Sequence, residues 1–268
     1  MKNCIITGGY SGFGRFLSKA FSKKYNLYIL GRSKVKFLQL KKEIKTKNKI
    51  HFFKNDLNDL DEIKKKISKI KSIDLIILNA GIAGSNNINR KYRAANTYVV
   101  NYLSNFLIMD TLIKKSNLTK VINITSITHH FTNLKRISFS SSEPTFLRYA
   151  NSKLMMLLFM YSLNRKYKKK IKILNFDPGW MKTNFGSNQK NILRRILKTL
   201  SNIFAKNLET QERQALKLFD FCENYINRYE GKYFDINGIK NCSKITYNKS
   251  LQSELFYRSK EFLRNNQL

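Results

Sequence analysis

The sequence predicts an α/β fold, a doubly wound and mostly parallel sheet of about seven strands with helices on both faces. Three observations predict it. Short apolar, strand-like runs alternate with longer helical patterns along the chain. Several of these runs are apolar throughout, as strands covered on both faces are. A glycine-rich turn follows the first run directly and opens the first helical pattern.

The strand candidates, in order, are Cys4-Ile5-Ile6, Leu27-Tyr28-Ile29-Leu30, Ile50-His51-Phe52-Phe53, Leu75-Ile76-Ile77-Leu78, Val121-Ile122-Asn123-Ile124 and Ile171-Lys172-Ile173-Leu174. Lys232-Tyr233-Phe234-Asp235 is a seventh. Between them, residues 12–25, 34–47, 59–70, 90–115 and 145–168 are long enough for helices. With two prolines and no linker-like composition, residues 1–268 read as one domain without internal repeats.

Composition narrows the class. No apolar run reaches the ~18 residues of a membrane span. No leader-like segment precedes the strand at Lys2–Thr7, so the expected location is cytoplasmic. Cys4, Cys222 and Cys242 lack CxxC spacing and read as reduced thiols, not as a disulfide or metal framework. The net charge of +34 admits a polyanionic partner. The basic residues are nevertheless spread along a chain rich in Lys, Asn, Ile, Phe and Tyr, which reads as compositional drift, so nucleic acid is not the expected partner.

The turn Thr7-Gly8-Gly9-Tyr10-Ser11-Gly12-Phe13-Gly14 sits where a dinucleotide pyrophosphate would meet a helix N-terminus. Gly8 permits the tight turn, and Gly12 and Gly14 permit close approach of backbone and helix. The second strand ends Gly31-Arg32-Ser33 without an acid to hold a ribose 2′-hydroxyl, which predicts NADP(H) over NAD(H). Arg32 and Ser33 are candidate donors to its 2′-phosphate. Asp56-Leu57 follows the third strand; Asp56 reads either as an adenine contact or as a cap for the helix near Asp59. Asn79-Ala80-Gly81 follows the fourth strand, its small residues suited to lie along a ribose.

Tyr149 and Lys153 are four residues apart on a helical segment and share a face. An ammonium beside a phenol favours the phenolate, which would bring Tyr149 toward neutral pKa for acid–base work. In a chain with 14 tyrosines and many lysines such a pair also arises by chance. Ser126 gives it meaning, because it ends the fifth strand at the carboxyl edge where open α/β sheets bind ligands. Asn101, an amide inside an apolar helical stretch, is a candidate brace toward Lys153. His129 and His130 are not required by this chemistry.

In this order the motifs resemble the short-chain dehydrogenase/reductase family, over nearly the whole chain. The resemblance implies a Rossmann-type fold, an Asn101–Ser126–Tyr149–Lys153 tetrad, and NAD(P)-dependent chemistry on a small-molecule carbonyl or alcohol. It also implies that Lys153 holds the nicotinamide ribose, and that Pro178, Gly179 and Thr183 line the nicotinamide. Ile124–His130, the long insertion before Tyr149, and the tail from Gly231-Lys232-Tyr233-Phe234 to Ser259 are similar to the retinol-dehydrogenase-like branch, without the membrane-anchoring N-terminus of many such proteins. A rival reading is a dinucleotide-binding regulatory or nucleic-acid-associated protein without turnover.

Two further expectations concern partners. Phe106, Leu107, Ile108, Met109, Leu154, Met155, Leu157 and Leu158 either offer apolar surface for pairing into a homo-oligomer or face the chain's own sheet. Residues 186–206 carry Ile192, Leu193, Ile196, Leu197, Leu200, Ile203 and Phe204 at helical spacing beside Lys190, Arg194, Arg195, Lys198 and Lys206. That pattern fits a lid over the substrate pocket or a peripheral contact with an anionic membrane.

Overall fold

A computed structural model describes residues 2–115, 118–132, 134, 136–140, 142–179 and 208–268. The strands β1 (Lys2–Thr7), β2 (Tyr25–Gly31), β3 (Ile50–Lys54) and β4 (Leu75–Leu78) alternate with helices α1 (Gly12–Phe21), α2 (Lys34–Glu43) and α3 (Leu60–Ile67). A small hairpin, β5 (Ile88–Asn89) with β6 (Ala94–Ala95), leads into α4 (Asn96–Tyr98), a π-helical turn at Val99–Leu103 and α5 (Ser104–Lys115). Strand β7 (Lys120–Ile124), a 3₁₀ turn at Ile127–His130, α6 (Thr145–Tyr167) and β8 (Lys172–Phe176) follow. After residue 207 come α7 (Leu208–Asn224), α8 (Ile226–Tyr229), β9 (Tyr233–Asp235), β10 (Gly238–Lys240) and α9 (Lys249–Asn265).

The main sheet has the order β3-β2-β1-β4-β7-β8-β9-β10. Its pairings are parallel except for β9 with β10. The chain winds outward from β1 to β3, then returns across β1 to place β4 on its other side. That reversal opens a crevice at the carboxyl ends of β1 and β4, where such sheets bind ligands.

The apolar strands serve two cores at once. In β4, Ile76 and Leu78 join a core shared with α3, α5, α6 and α9, while Leu75 and Ile77 face a second core with α1 and α7. Side chains alternate across a sheet, so a strand covered on both faces must be apolar at every position.

Local differences from the sequence expectation have local causes. The helix expected over 90–115 begins at Asn96, because Arg93 takes a left-handed φ of 50° and Ala94–Ala95 pairs with Ile88–Asn89. The segment 12–25 stops being helical at Phe21 because Tyr25 already pairs with Lys2. Helix α2 ends at Glu43, where Ile44 turns extended.

The side chains of Phe106, Leu107, Ile108, Met109, Leu154, Met155, Leu157 and Leu158 are all buried within the chain. They supply the core, not an external face for a second copy. No helix among the described residues is long and apolar enough to cross a membrane.

Candidate active site

The glycine turn is tightly built. Gly8 and Gly12 have φ of +65° and +51°, which side-chain-bearing residues rarely adopt. A Cβ on Gly14 would lie 2.3 Å from the Gly8 carbonyl oxygen and 2.6 Å from Asn79 Nδ2, so the start of α1 can approach the turn only as glycine. Thr7 Oγ1 accepts from the backbone N–H of Asn79 and of Ala80, both at 3.0 Å, and Asn79 Nδ2 donates to Thr7 O at 3.0 Å. These bonds lock the two loops of the crevice together. Ser11 caps α1 without a side-chain bond to its N–H groups, and the first turn of α1 carries no acid. Donors without a side-chain cap, a positive helix end and glycine-lined approach fit a pyrophosphate. Phe13 is buried in the core behind the turn.

At the end of β2, Tyr10 crosses over Gly31, and its hydroxyl accepts from the N–H of Arg32 at 2.7 Å and of Ser33 at 3.2 Å. Ser33 Oγ accepts from Lys36 N and so caps α2. Arg32 is exposed and lies 3.6 Å from the Asp56 carboxylate. Asp56 Oδ1 also accepts from Asn58 N at 3.0 Å; the cap of α3 is Asp59, not Asp56. Leu57 is buried in the core beside this edge.

The second group gathers at the carboxyl end of β7. Ser126 begins the 3₁₀ turn, and its Oγ accepts from Thr128 N at 3.3 Å and Thr128 Oγ1 at 3.1 Å. Its hydroxyl is hydrogen-bonded to Tyr149. Lys153, one turn along α6, sits 5.8 Å from the centre of the Tyr149 ring and donates from Nζ to Ile124 O at 3.0 Å. Asn101 lies inside the π-helical turn, an irregularity common at functional sites. It accepts from Ile82 N at 2.8 Å and donates to Ile82 O and Ser152 Oγ, each at 2.9 Å. It therefore ties the stretch after Asn79-Ala80-Gly81 to α6. A Cβ on Gly81 would meet Asn101 Oδ1 at 3.5 Å and Lys153 Nζ at 3.7 Å, so the cofactor crevice and the Tyr149 group are one site.

The electrostatics differ from the sequence expectation. The Tyr149 pKa is not lowered. Burial raises it, the Ser126 bond offsets part of that, and the nearby Asp177 carboxylate raises it further. Lys153 is brought down to about 8, because burial penalises the ammonium more than Asp177 stabilises it. With its Nζ engaged by Ile124 O, Lys153 lies toward the Tyr149 ring, and desolvation of the phenolate dominates.

The short chain dehydrogenase family matches this chain over residues 2–192. The chain belongs to that family. It is an NAD(P)-dependent oxidoreductase, as its motifs imply. Among relatives, it is 24% identical to the human polyprenol dehydrogenase over 277 residues, covering 96% of this chain and 83% of that protein. It is 25% identical to the WW domain-containing oxidoreductase of Drosophila melanogaster over 233 residues, covering 81% of this chain but only 56% of the fly protein. A solved Mycobacterium paratuberculosis protein superposes with a TM-score of 0.78 at 17% identity, covering 98% of this chain and 94% of that one. A 3-ketoacyl-(acyl-carrier-protein) reductase of Brucella melitensis solved with NADH and a short chain dehydrogenase of Shigella flexneri solved with NADP share the fold at TM-scores of 0.66 and 0.65, at 17% and 16% identity, covering 88% and 87% of this chain and 96% of each of those chains.

The dehydrogenase carries a buried layer behind its site that the motifs did not reveal. Asp177 precedes Pro178-Gly179 at the end of β8 and is 5% exposed. It accepts from Gly179 N at 2.8 Å and from the Tyr233 hydroxyl on β9. The His129 ring packs edge-on against Tyr233, with centroids 4.9 Å apart. His129 Nδ1 donates to Ser126 O at 2.7 Å, and its Nε2 accepts from Ser243 N. Those partners select one neutral tautomer, and burial holds the His129 pKa down at about 4. His129 is thus a structural strut from Ser126 to the Pro178-Gly179 turn. An acid at the carboxyl end of a parallel strand was the available sequence signal for Asp177. Thr183 and the stripe in 186–206 lie outside the described residues.

Proposed function

We propose that this dehydrogenase interconverts a carbonyl and an alcohol on a lipophilic substrate, with NADP(H) as cofactor and residues 1–268 acting as one domain. The observation that carries the proposal is the hydrogen-bonded Ser126–Tyr149 pair, with Lys153 beside it and the glycine crevice adjoining. Bound NADP(H) would supply the hydride. Ser126 orients the carbonyl oxygen and stabilises the charge that develops on it. Tyr149 passes its phenolic proton to that oxygen, a role served by a phenol that burial keeps protonated. Lys153 holds the ribose hydroxyls and carries positive charge beside the reacting oxygen. Asn101 acts as a positioning residue, holding the Ile82 stretch and α6 at fixed separation.

The cofactor is held by Thr7, Gly8, Tyr10, Ser11, Gly12 and Gly14, by Arg32, Ser33 and Asp56 at the adenosine end, and by Asn79, Ala80, Gly81, Pro178 and Gly179 nearer the nicotinamide; Phe13 and Leu57 contribute backbone only, their side chains lying in the core. The absence of an acid in Gly31-Arg32-Ser33 supports NADP(H). Exposed Ile127 and Phe131, at the start and just past the end of the 3₁₀ turn that Ser126 begins, together with similarity to a polyprenol dehydrogenase, support an apolar substrate.

The test is NADPH oxidation across short- and long-chain aldehydes and ketones. Tyr149→Phe is expected to lower turnover by about 10²-fold or more while NADPH still binds. Near-normal turnover in that variant overturns the assignment, and a preference for small polar carbonyls overturns the lipophilic substrate.

A further inference from the structure

Position 10 carries a large side chain among the small residues Gly8, Gly9, Ser11 and Gly12, and the structure shows where it goes. The Tyr10 ring lies across Gly31. A Cβ at Gly31 would stand 2.1 Å from Tyr10 Cε1 and 2.7 Å from its hydroxyl oxygen, so the ring reaches this place only because residue 31 is glycine. Phe52 packs edge-on against the same ring at a centroid distance of 6.3 Å. The ring is therefore wedged between the end of β2 and the neighbouring β3.

Its hydroxyl oxygen receives two backbone N–H groups, from Arg32 at 2.7 Å and Ser33 at 3.2 Å. A phenol oxygen has two lone pairs and one proton. Both lone pairs are engaged by these N–H groups, so what the hydroxyl has left to offer a ligand is its proton. The two N–H groups belong to the turn at the start of α2, at the positive end of that helix. Donation into the phenol oxygen polarises its O–H, and bonds in such a chain reinforce one another.

We infer that Tyr10 is the residue that reads the 2′ position of the cofactor's adenosine ribose, selecting a 2′-phosphate over a 2′-hydroxyl; this deepens the NADP(H) reading above and rests on it. The end of the second strand faces that ribose in dinucleotide-binding sheets. A phosphate accepts at every oxygen and matches a group that can only donate. A ribose hydroxyl can accept the same bond but brings no charge to strengthen it. Arg32 contributes less than its sequence position suggests, since the Asp56 carboxylate lies 3.6 Å from its guanidinium. Ser33 Oγ already caps α2 by accepting from Lys36 N.

The experiment is direct binding, read by cofactor fluorescence and calorimetry, of NADPH and NADH to the full chain and to Tyr10→Phe. The variant keeps the ring and removes the donated proton. NADPH binding is expected to weaken about tenfold, the scale of one charge-assisted hydrogen bond, with NADH changed less than about threefold. Gly31→Ala, which forces the ring out of its slot, is expected to give the same selective loss. Wild-type protein that binds neither dinucleotide, or prefers NADH, brings down the cofactor reading and this inference together. NADPH-preferring wild type with an unchanged preference in Tyr10→Phe overturns this inference alone.

Discussion

Lys153→Met is expected to make the protein more stable at neutral pH while removing its activity. Lys153 is 7% exposed, and its pKa is brought to about 8 from an ordinary 10.5, chiefly by burial. At about 1.4 kcal/mol per pH unit, that gap means the buried ammonium costs the fold about 3 kcal/mol. Methionine fills similar space without charge but gives up the bond from Nζ to Ile124 O, worth about 1 kcal/mol. Asp177 loses an attractive charge yet keeps its bonds from Tyr233 and Gly179. The net gain is about 2 kcal/mol, or roughly 5 °C in Tm for a chain of this size. The pH dependence has a definite sign. Below pH 8 the lysine is charged in both folded and unfolded chains, and the full penalty applies. Between 8 and 10.5 the folded protein has released its proton and the unfolded chain has not, so the penalty fades. The advantage of the variant should therefore be largest below pH 8 and vanish near pH 10.5. Thermal melts of both proteins from pH 6 to 10.5, with turnover measured alongside, check this. A variant less stable than wild type at pH 7, or a gain that does not change with pH, refutes the reasoning.

Asn101→Ala strips partners from Ile82 N–H and C=O and from Ser152, and should cost about 2 kcal/mol and lower turnover, seen as a reduced Tm with kcat falling more than KM rises. Gly14→Ala places a methyl 2.3 Å from a backbone oxygen and should abolish dinucleotide binding before it unfolds the chain, measurable by fluorescence titration beside circular dichroism. Glu223 is held at about 2 despite burial by bonds from Lys24, Tyr25 and Lys120. It thus contributes stability that is present above its unfolded value near 4.5 and lost as pH falls toward 2. Glu223→Gln should lower Tm at pH 7 and match wild type near pH 2; an equal Tm at pH 7 would count against it.

The alternation of strands and helices, the glycine turn and the order of the motifs were all legible in the sequence, because each depends on neighbours a few residues apart. Periodicity reports which faces of an element are apolar, and glycine reports a backbone that a side chain would block. Even the seventh strand at Lys232-Tyr233-Phe234-Asp235 was readable in this way. What the apolar faces meet was not readable: the stripes on α5 and α6 fitted either a second copy of the chain or its own sheet, and they close the chain's own core.

The site itself belongs to the tertiary structure. Ser126 reaches Tyr149 because α6 packs against the 3₁₀ turn that Ser126 begins, and Asn101 joins Ile82 to Ser152 across 19 and 51 positions of sequence. The Tyr149 pKa depends on burial and on Asp177, two quantities that spacing along a helix does not encode. Tyr10 could be assigned to the glycine turn from sequence. Its hydroxyl meets Arg32 and Ser33 only because β1 and β2 pair in parallel register, with Thr7 opposite Leu30 and Gly31 offering no side chain to stop the ring. Local pattern determined which elements form. Long-range packing, through desolvation and register, decided which of their side chains share a site and what charge each one holds.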